Sequence, residues 1–388
     1  MSPELQALAG FVVATAISFA MTPLAARFAV RVGAVAKVED RSLHDHDMPS
    51  LGGLAILAGL LVSSLFFMPD TSETEAIILG ALIIVFVGAM DDIFNLSPFA
   101  KLVGQFLGAA VPVMSGVVVQ NFTLPFIDPV DLGELAEPLT MIGIVAVINV
   151  VNLTDGADGL AAGVCFIGAA TFAAIALSLN RYSAGILAAC TAGASLGFLF
   201  HNFHPATIFM GDAGSNLLGY LLACIAIQGV LKTAAAVALF FPLVILAVPI
   251  LDTGFVVAKR LKYGKPIYAA DRWHFHHRFV NIGFSQRRTV LYLYAWTLCL
   301  AALALALRFI PYSDGHGNLD TGWTLVLVGL GIVVLAASFY LVVVLEILKL
   351  RRFSGRRLRR KGAVTEDQVD ADVAEQLATG EFPAIERD

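Results

Sequence analysis

The residues able to do chemistry fall into four short polar islands: MDDIFNLSPFAK (Met90–Lys101), NVVNLTDGADG (Asn149–Gly159), FMGDAGS (Phe209–Ser215) and DRWHFHHR (Asp271–Arg278). Carboxylates, short amides, a lysine and a histidine–arginine cluster suit a site that holds a hard divalent cation and grips phosphate. Asp91 and Asp92 are adjacent. On a helix their side chains diverge by about 100°, so the two cannot serve one ion equally. One is expected to face an ion or substrate and the other to support a neighbouring loop. A helix C-terminus is an unfavourable place for anions, which argues against simple capping.

In the second island Asn149, Asn152 and Asp155 recur at three-residue spacing, which stacks them on one helix side if the helix extends that far. Gly156 and Gly159 then allow a tight turn. An Asx-rich turn alone explains Asp158 and Gly159 but not the two asparagines. In the third island Asp212 can cap a helix and can equally hold Mg²⁺ while helix N-terminal amides face phosphate oxygens, two compatible readings. In the fourth, His274, His276, His277 and Arg278 stand with Arg272. The H-x-H-H spacing matches no common zinc pattern, and the arginines repel cations and attract phosphate, so anion binding is favoured over zinc. His44 and His46, beside Asp45 and Asp47, offer a second set of potential metal ligands. Metal-binding acids, phosphate-binding bases and an apolar surround together point to phosphoryl transfer to or from a lipid.

The elements that position these islands are apolar. With 58% hydrophobic and 14% charged residues, the chain is not a soluble globular domain. The net charge of −5 says little, because the charges are segregated. Five carboxylates (Asp91, Asp92, Asp155, Asp158, Asp212) scattered in lipid would cost about 12–18 kcal/mol, at about 2.5–3.5 each, so they must share a watered or counter-charged face. The four cysteines lie in apolar runs without metal spacing and read as small buried hydrophobes. No Lys or Arg precedes the first apolar run, so no cleavable signal peptide is expected.

The fold expected is all-α and polytopic. About eleven spans fall near 6–30, 51–68, 75–90, 101–119, 139–152, 158–179, 183–200, 214–231, 234–258, 289–310 and 321–348. Basic residues crowd alternate loops, at Arg27–Arg41, Lys101 and Lys259–Arg288, and the segment Lys349–Lys361. The N-terminus is therefore expected outside, and all four islands and the C-terminus in the cytoplasm. Pro242 and Pro249 predict a kink in the ninth span. Residues 1–361 read as one transmembrane catalytic domain and 362–388 as an acidic, disordered tail.

In order and wording the islands resemble the polyprenyl-phosphate N-acetylhexosamine-1-phosphate transferases, from Arg41 to about Arg288. RSLHDHDMPSLGG carries Arg41, His44, Pro49, Gly52 and Gly53 of that family's first cytoplasmic motif. DDIFNLSPFAK is similar to its aspartate-pair motif with the downstream Lys101, NLTDGADGL and GDAGS to its central motifs, and HFHH to its histidine motif. Phe275 separates His274 from His276, which resembles the UDP-GlcNAc-using branch rather than the phospho-MurNAc-pentapeptide translocases. The resemblance implies a reaction of UDP-GlcNAc with polyprenyl phosphate, giving polyprenyl-diphospho-GlcNAc and UMP, in a bacterial inner membrane. It implies Mg²⁺, or Mn²⁺, at Asp155 and Asp212, and phosphate contacts from Lys101, His276, His277 and Arg278. Asn152 is placed beside metal or nucleotide, and His274, Arg272, His44, Gly52 and Gly53 among the substrate-binding residues. Asp91 or Asp92 would serve positioning, metal support or late proton removal. A phosphate monoester is mostly dianionic above its second pKa of about 6, so a strong base is not required. No nucleic-acid partner is expected, and a homodimer is allowed. The alternatives are the pentapeptide translocase, with the same fold, and an ion-coupled transporter, which should instead carry its acids near mid-span.

Overall fold

The computed structural model describes residues 1–36, 47–122, 130–231, 240–262, 284–312 and 320–340, with Gln368, Ala371 and Asp372. Of the described residues about 81% are helical. The helices are α1 (Pro3–Val32), α2 (Gly53–Phe67), α3 (Ser72–Phe94), α4 (Pro98–Met114), α5 (Ala136–Thr154), α6 (Leu160–Ser178), α7 (Tyr182–Asn202) and α8 (Gly211–Ala226). These are followed by α9 (Phe240–Ile245), α10 (Ala247–Lys262), α11 (Gln286–Phe309) and α12 (Thr321–Phe339). Two antiparallel ladders of two residues each, Val35–Ala36 with Met48–Pro49 and Asn121–Phe122 with Val130–Asp131, tie loops together. Seven helical segments among the described residues are long and apolar enough to cross a membrane: those ending at Val32, Phe94, Thr154, Ser178, Asn202, Phe309 and Phe339. Large side chains such as Leu82, Phe86, Phe200 and Leu335 stay exposed along them. In a bilayer these are lipid-facing positions, and the chain is an all-helical polytopic membrane protein.

The chain divides into two units, Met1–Pro249 and Ile250–Asp388. Lipid tails are as apolar as leucine, so helices in the first unit must associate through close packing rather than through water exclusion. α1 buries a stripe of small residues, Ala7, Gly10, Ala14, Ser18, Thr22, Ala25 and Ala29, and packs on α7 and α2. A Cβ at Gly193 would lie 2.2 Å from the Phe11 carbonyl oxygen, and one at Gly197 2.3 Å from that of Thr15. Pro23 interrupts α1 without an N–H to give to the carbonyl of Phe19. His201 Nε2 lies 3.1 Å from that oxygen and satisfies it from α7.

α8 is the centre of the unit. Every residue from Ala213 to Ala226 is buried, enclosed by α2, α3, α5, α6 and α7. Tyr220 donates to the Ile77 carbonyl at 3.0 Å. Beyond α8 the chain widens into a π-helical turn over Ile227–Leu231, where Gln228 Nε2 donates to Glu73 Oε2 at 2.8 Å. The kink expected in the ninth span is the break between α9 and α10 at Leu246. Pro249 cannot donate to the Ile245 carbonyl, so the ladder stops there.

In the second unit α11 packs on α12, and Trp296 Nε1 donates to Ser338 Oγ at 2.7 Å. The expected disordered tail, apart from three residues, lies outside the described residues.

Candidate active site

Four helix ends converge: the C-termini of α3 and α5 and the N-termini of α4 and α8. The loop geometry that brings them together depends on glycine. Gly53, at the start of α2, lies so close to α8 that a Cβ would stand 2.2 Å from the Gly214 nitrogen. At Gly88 of α3 a Cβ would stand 2.5 Å from Ala213 Cα. The segments before α2 and α8 also pair through backbone bonds. Gly52 N–H donates to the Phe209 carbonyl and Gly53 N–H to that of Met210, both at 3.0 Å, and Phe209 N–H donates to the Pro49 carbonyl at 2.8 Å. Gly52 and Gly53, which the resemblance places among the substrate-binding residues, thus have both amides engaged by protein carbonyls.

Asp91 and Asp92 diverge as adjacent helical residues must. Asp92 reaches the N-terminus of α8, where its two oxygens accept from the amides of Asp212, at 2.9 Å, and Ala213, at 3.1 Å. The positive end of one helix thereby receives the anion that the negative end of another disfavours. This corrects the expectation that α8's first amides face phosphate. Two are bound by the protein's own carboxylate, and Gly53 covers that of Gly214. Gly211 turns the chain into α8 at φ +70°, with Asp92 and Ser50 where a Cβ would go.

Asp91 Oδ1 accepts from Leu96 N–H at 2.8 Å. Its Oδ2 pairs with Lys101 Nζ at 2.9 Å, and the same ammonium group pairs with Asp212 Oδ2. Lys101 sits one turn into α4, and Ser97 caps that helix. The lysine thus bridges carboxylates from two helices that are 121 residues apart in sequence, taking 212 minus 91.

α5 runs through Thr154, so the expected asparagine spacing falls on a helix. Steps of three rotate about 60° around the axis, and the two asparagines meet different neighbours. Asn149 Nδ2 donates to Gln105 Oε1 of α4 at 2.7 Å. Asn152 Nδ2 donates to Ser215 Oγ of α8 at 2.9 Å. Asp155 follows as the residue that closes α5. Loss of water, then the nearby carboxylates Asp212 and Asp158, push its carboxyl up to about 7. Asp158 is otherwise employed: its Oδ2 accepts from His204 Nδ1 at 2.9 Å and from Ala206 N–H at 3.1 Å. Asn202 completes that tie, accepting from Gly159 N–H at 3.0 Å and donating to the Ile208 carbonyl at 2.9 Å. Gln105, Asn202 and His204 are site-supporting residues that lie outside the four islands.

His44, Arg272, His274, His276, His277 and Arg278 lie outside the described residues. Among the described residues no three of His, Cys, Asp and Glu converge as a ready metal cage. Asp155 and Asp212 are near enough to repel, and two carboxylates are what Mg²⁺ takes when waters and substrate phosphates supply the remaining ligands. The donor set therefore fits a substrate-completed Mg²⁺ site.

An all-helical polytopic membrane protein with an acidic, lysine-bridged site at converging helix ends is the class these features define. Residues 75–230 match glycosyl transferase family 4. The probable undecaprenyl-phosphate N-acetylglucosaminyl 1-phosphate transferase of Bacillus subtilis is 39% identical over 304 residues, covering 77% of this chain and 84% of that protein. The decaprenyl-phosphate N-acetylglucosaminephosphotransferase of Mycolicibacterium smegmatis is 33% identical over 338 residues, covering 79% and 81%. A phospho-N-acetylmuramoyl-pentapeptide-transferase of Thermoanaerobacter sp. is 33% identical over 316 residues, covering 76% and 96%. The chain belongs to glycosyl transferase family 4, among the polyprenyl-phosphate N-acetylhexosamine-1-phosphate transferases.

Proposed function

We propose that this protein transfers GlcNAc-1-phosphate from UDP-GlcNAc to a membrane polyprenyl phosphate, giving polyprenyl-diphospho-GlcNAc and UMP. This would be the first membrane step of a cell-envelope polysaccharide in a bacterial plasma membrane. One observation carries the chemistry: a single ammonium group, Lys101, held between Asp91 and Asp212 at helix ends rather than mid-span. That placement suits a lipid headgroup and disfavours a transporter. The relatives named for N-acetylglucosamine transfer support the choice of sugar.

In the reaction an oxygen of the lipid phosphate attacks the β-phosphorus of UDP-GlcNAc. The bond from that phosphorus to the bridging oxygen breaks, and UMP leaves with the electron pair. The sugar C1–O bond stays intact, so anomeric configuration is retained. One diphosphate replaces another, so the site must mainly align reactants and neutralise charge. Lys101 offers its ammonium group to phosphate. Asp91, fixed by Leu96 N–H, holds that lysine in reach. Asp92 fixes the first turn of α8, and Asn152 ties α5 to it through Ser215. Asp155 and Asp212 would hold Mg²⁺ or Mn²⁺, which when bound supplies charge neutralisation at the diphosphate. His276, His277, Arg278 and Arg272 are assigned to phosphate on their sequence chemistry, and His274 and His44 to substrate binding.

The test is transfer of radiolabel by purified protein given Mg²⁺, polyprenyl phosphate and a panel of UDP-sugars. UDP-GlcNAc should yield labelled lipid and stoichiometric UMP, and excess EDTA should abolish it. Transfer only from UDP-MurNAc-pentapeptide would instead establish the reaction named for the Thermoanaerobacter relative. Full turnover in EDTA would remove the metal.

The proposed topology has eleven crossings, the N-terminus outside and the site on the cytoplasmic face. Cysteines introduced singly at Ser313 and Ser285 check it. The first should react with an impermeant thiol reagent added to intact cells, and the second should be protected. Equal labelling would break the shared-face argument.

A further inference from the structure

We propose that Lys101 is a resident counter-ion, one that holds the acidic site against a divalent metal until a substrate phosphate draws its ammonium group away. The inference rests on the assignment of Asp212 and Asp155 as metal-binding residues. Its starting point is the double pairing of Lys101 Nζ with Asp91 Oδ2 and Asp212 Oδ2. A Mg²⁺ ion bonds a carboxylate oxygen at about 2.0–2.1 Å. The ammonium group already occupies the contact sphere of Asp212 Oδ2. A divalent ion on that carboxylate would face a like charge only a few ångströms away, so one cation must yield.

The surrounding bonds determine which groups can adjust. Asp92 cannot turn to take either cation without leaving the amides of Asp212 and Ala213 unpaired. Asp91 is held by Leu96 N–H and stays in place. Lys101 is the group with freedom: its ammonium ends a flexible four-carbon stem and carries three donors. A phosphate oxygen is a strong alternative partner for it. When a diphosphate takes the lysine, Asp212 loses its competitor and Asp155 gains a cation to offset its two carboxylate neighbours. Metal and nucleotide-sugar therefore favour each other's binding, and by linkage the coupling is reciprocal.

The test uses the full-length protein in detergent, with Mn²⁺ as probe and free Mn²⁺ followed by electron paramagnetic resonance. Titrations run without and with UDP-GlcNAc, no lipid present, against protein-free controls. Wild-type protein should bind Mn²⁺ weakly alone and at least about tenfold more tightly with UDP-GlcNAc. Lys101→Gln should bind Mn²⁺ alone at least about tenfold more tightly than wild type, and its gain from UDP-GlcNAc should shrink. Lys101→Arg keeps the charge and should behave as wild type. Equal or weaker Mn²⁺ binding in Lys101→Gln overturns the counter-ion role and leaves the metal assignment standing. No Mn²⁺ binding by any of the proteins, with or without UDP-GlcNAc, overturns the metal assignment and this inference with it. Should Lys101→Gln fail to fold, the wild-type titration still decides: Mn²⁺ affinity unchanged by UDP-GlcNAc contradicts the proposal.

Discussion

Asp212→Asn is expected to lower kcat by at least about 10²-fold, and Asp155→Asn to do the same, as when charge stabilisation in a phosphoryl-transfer site is removed. The substitutions keep shape and remove one negative charge each. The amides of Asp212 and Ala213 in the first turn of α8 are served by Asp92 and not by the Asp212 side chain. Lys101 keeps Asp91 as a partner when Asp212 is neutral. Asp155 closes α5 through its backbone, which Asn reproduces. Both variants should therefore purify and melt like the parent protein while losing turnover. Single-turnover rates at saturating UDP-GlcNAc and Mg²⁺ make the measurement. Near-normal rates in either variant would remove that residue from the metal-binding pair.

Asp92→Ala is expected to act mainly through stability. It leaves two amides, those of Asp212 and Ala213, without an acceptor. A buried donor left unsatisfied costs about 1–3 kcal/mol, so the variant should lose about 2–6 kcal/mol. Asp92→Asn keeps one acceptor oxygen and should lose roughly half of that. Thermal unfolding in detergent, read beside turnover, separates this role from that of a proton acceptor. A residue that only removes a proton would forfeit rate in both variants without lowering Tm. An Asp92→Ala protein as stable as its parent would sink the capping role.

The helices were legible because apolar runs near 20 residues leave the backbone little choice but to satisfy itself. Their ends were less so. α5 begins at Ala136 and α3 extends to Phe94, each past the apolar run, because polar residues can continue a helix beyond the hydrocarbon. The carboxylates stood out because charge among apolar residues is costly. Their division of labour did not, since each depends on a remote partner. Nothing local in DDIFN says that Asp92 will meet an amide 120 residues further on. Gln105, Asn202 and His204 lie in or beside apolar helices and look like isolated polar substitutions until their partners arrive. The Gly52–Gly53 pair is legible in the sequence as a motif. Its physical reason, contact with Gly214 too close for any side chain, exists only once α8 is in place.

The enclosure of α8 has an entropic consequence. Asp212 rides on the first turn of a helix that is buried from Ala213 to Ala226 and anchored near both ends, by Asp92 at one and by Gln228 with Glu73 at the other. Such a helix cannot slide or rotate without breaking those bonds and the packing of five neighbours. The freedom lost in gathering like-charged carboxylates is thus surrendered once, when the helices associate, and not again in each catalytic cycle. Among the described residues, the group left with freedom at the site is the flexible stem of Lys101.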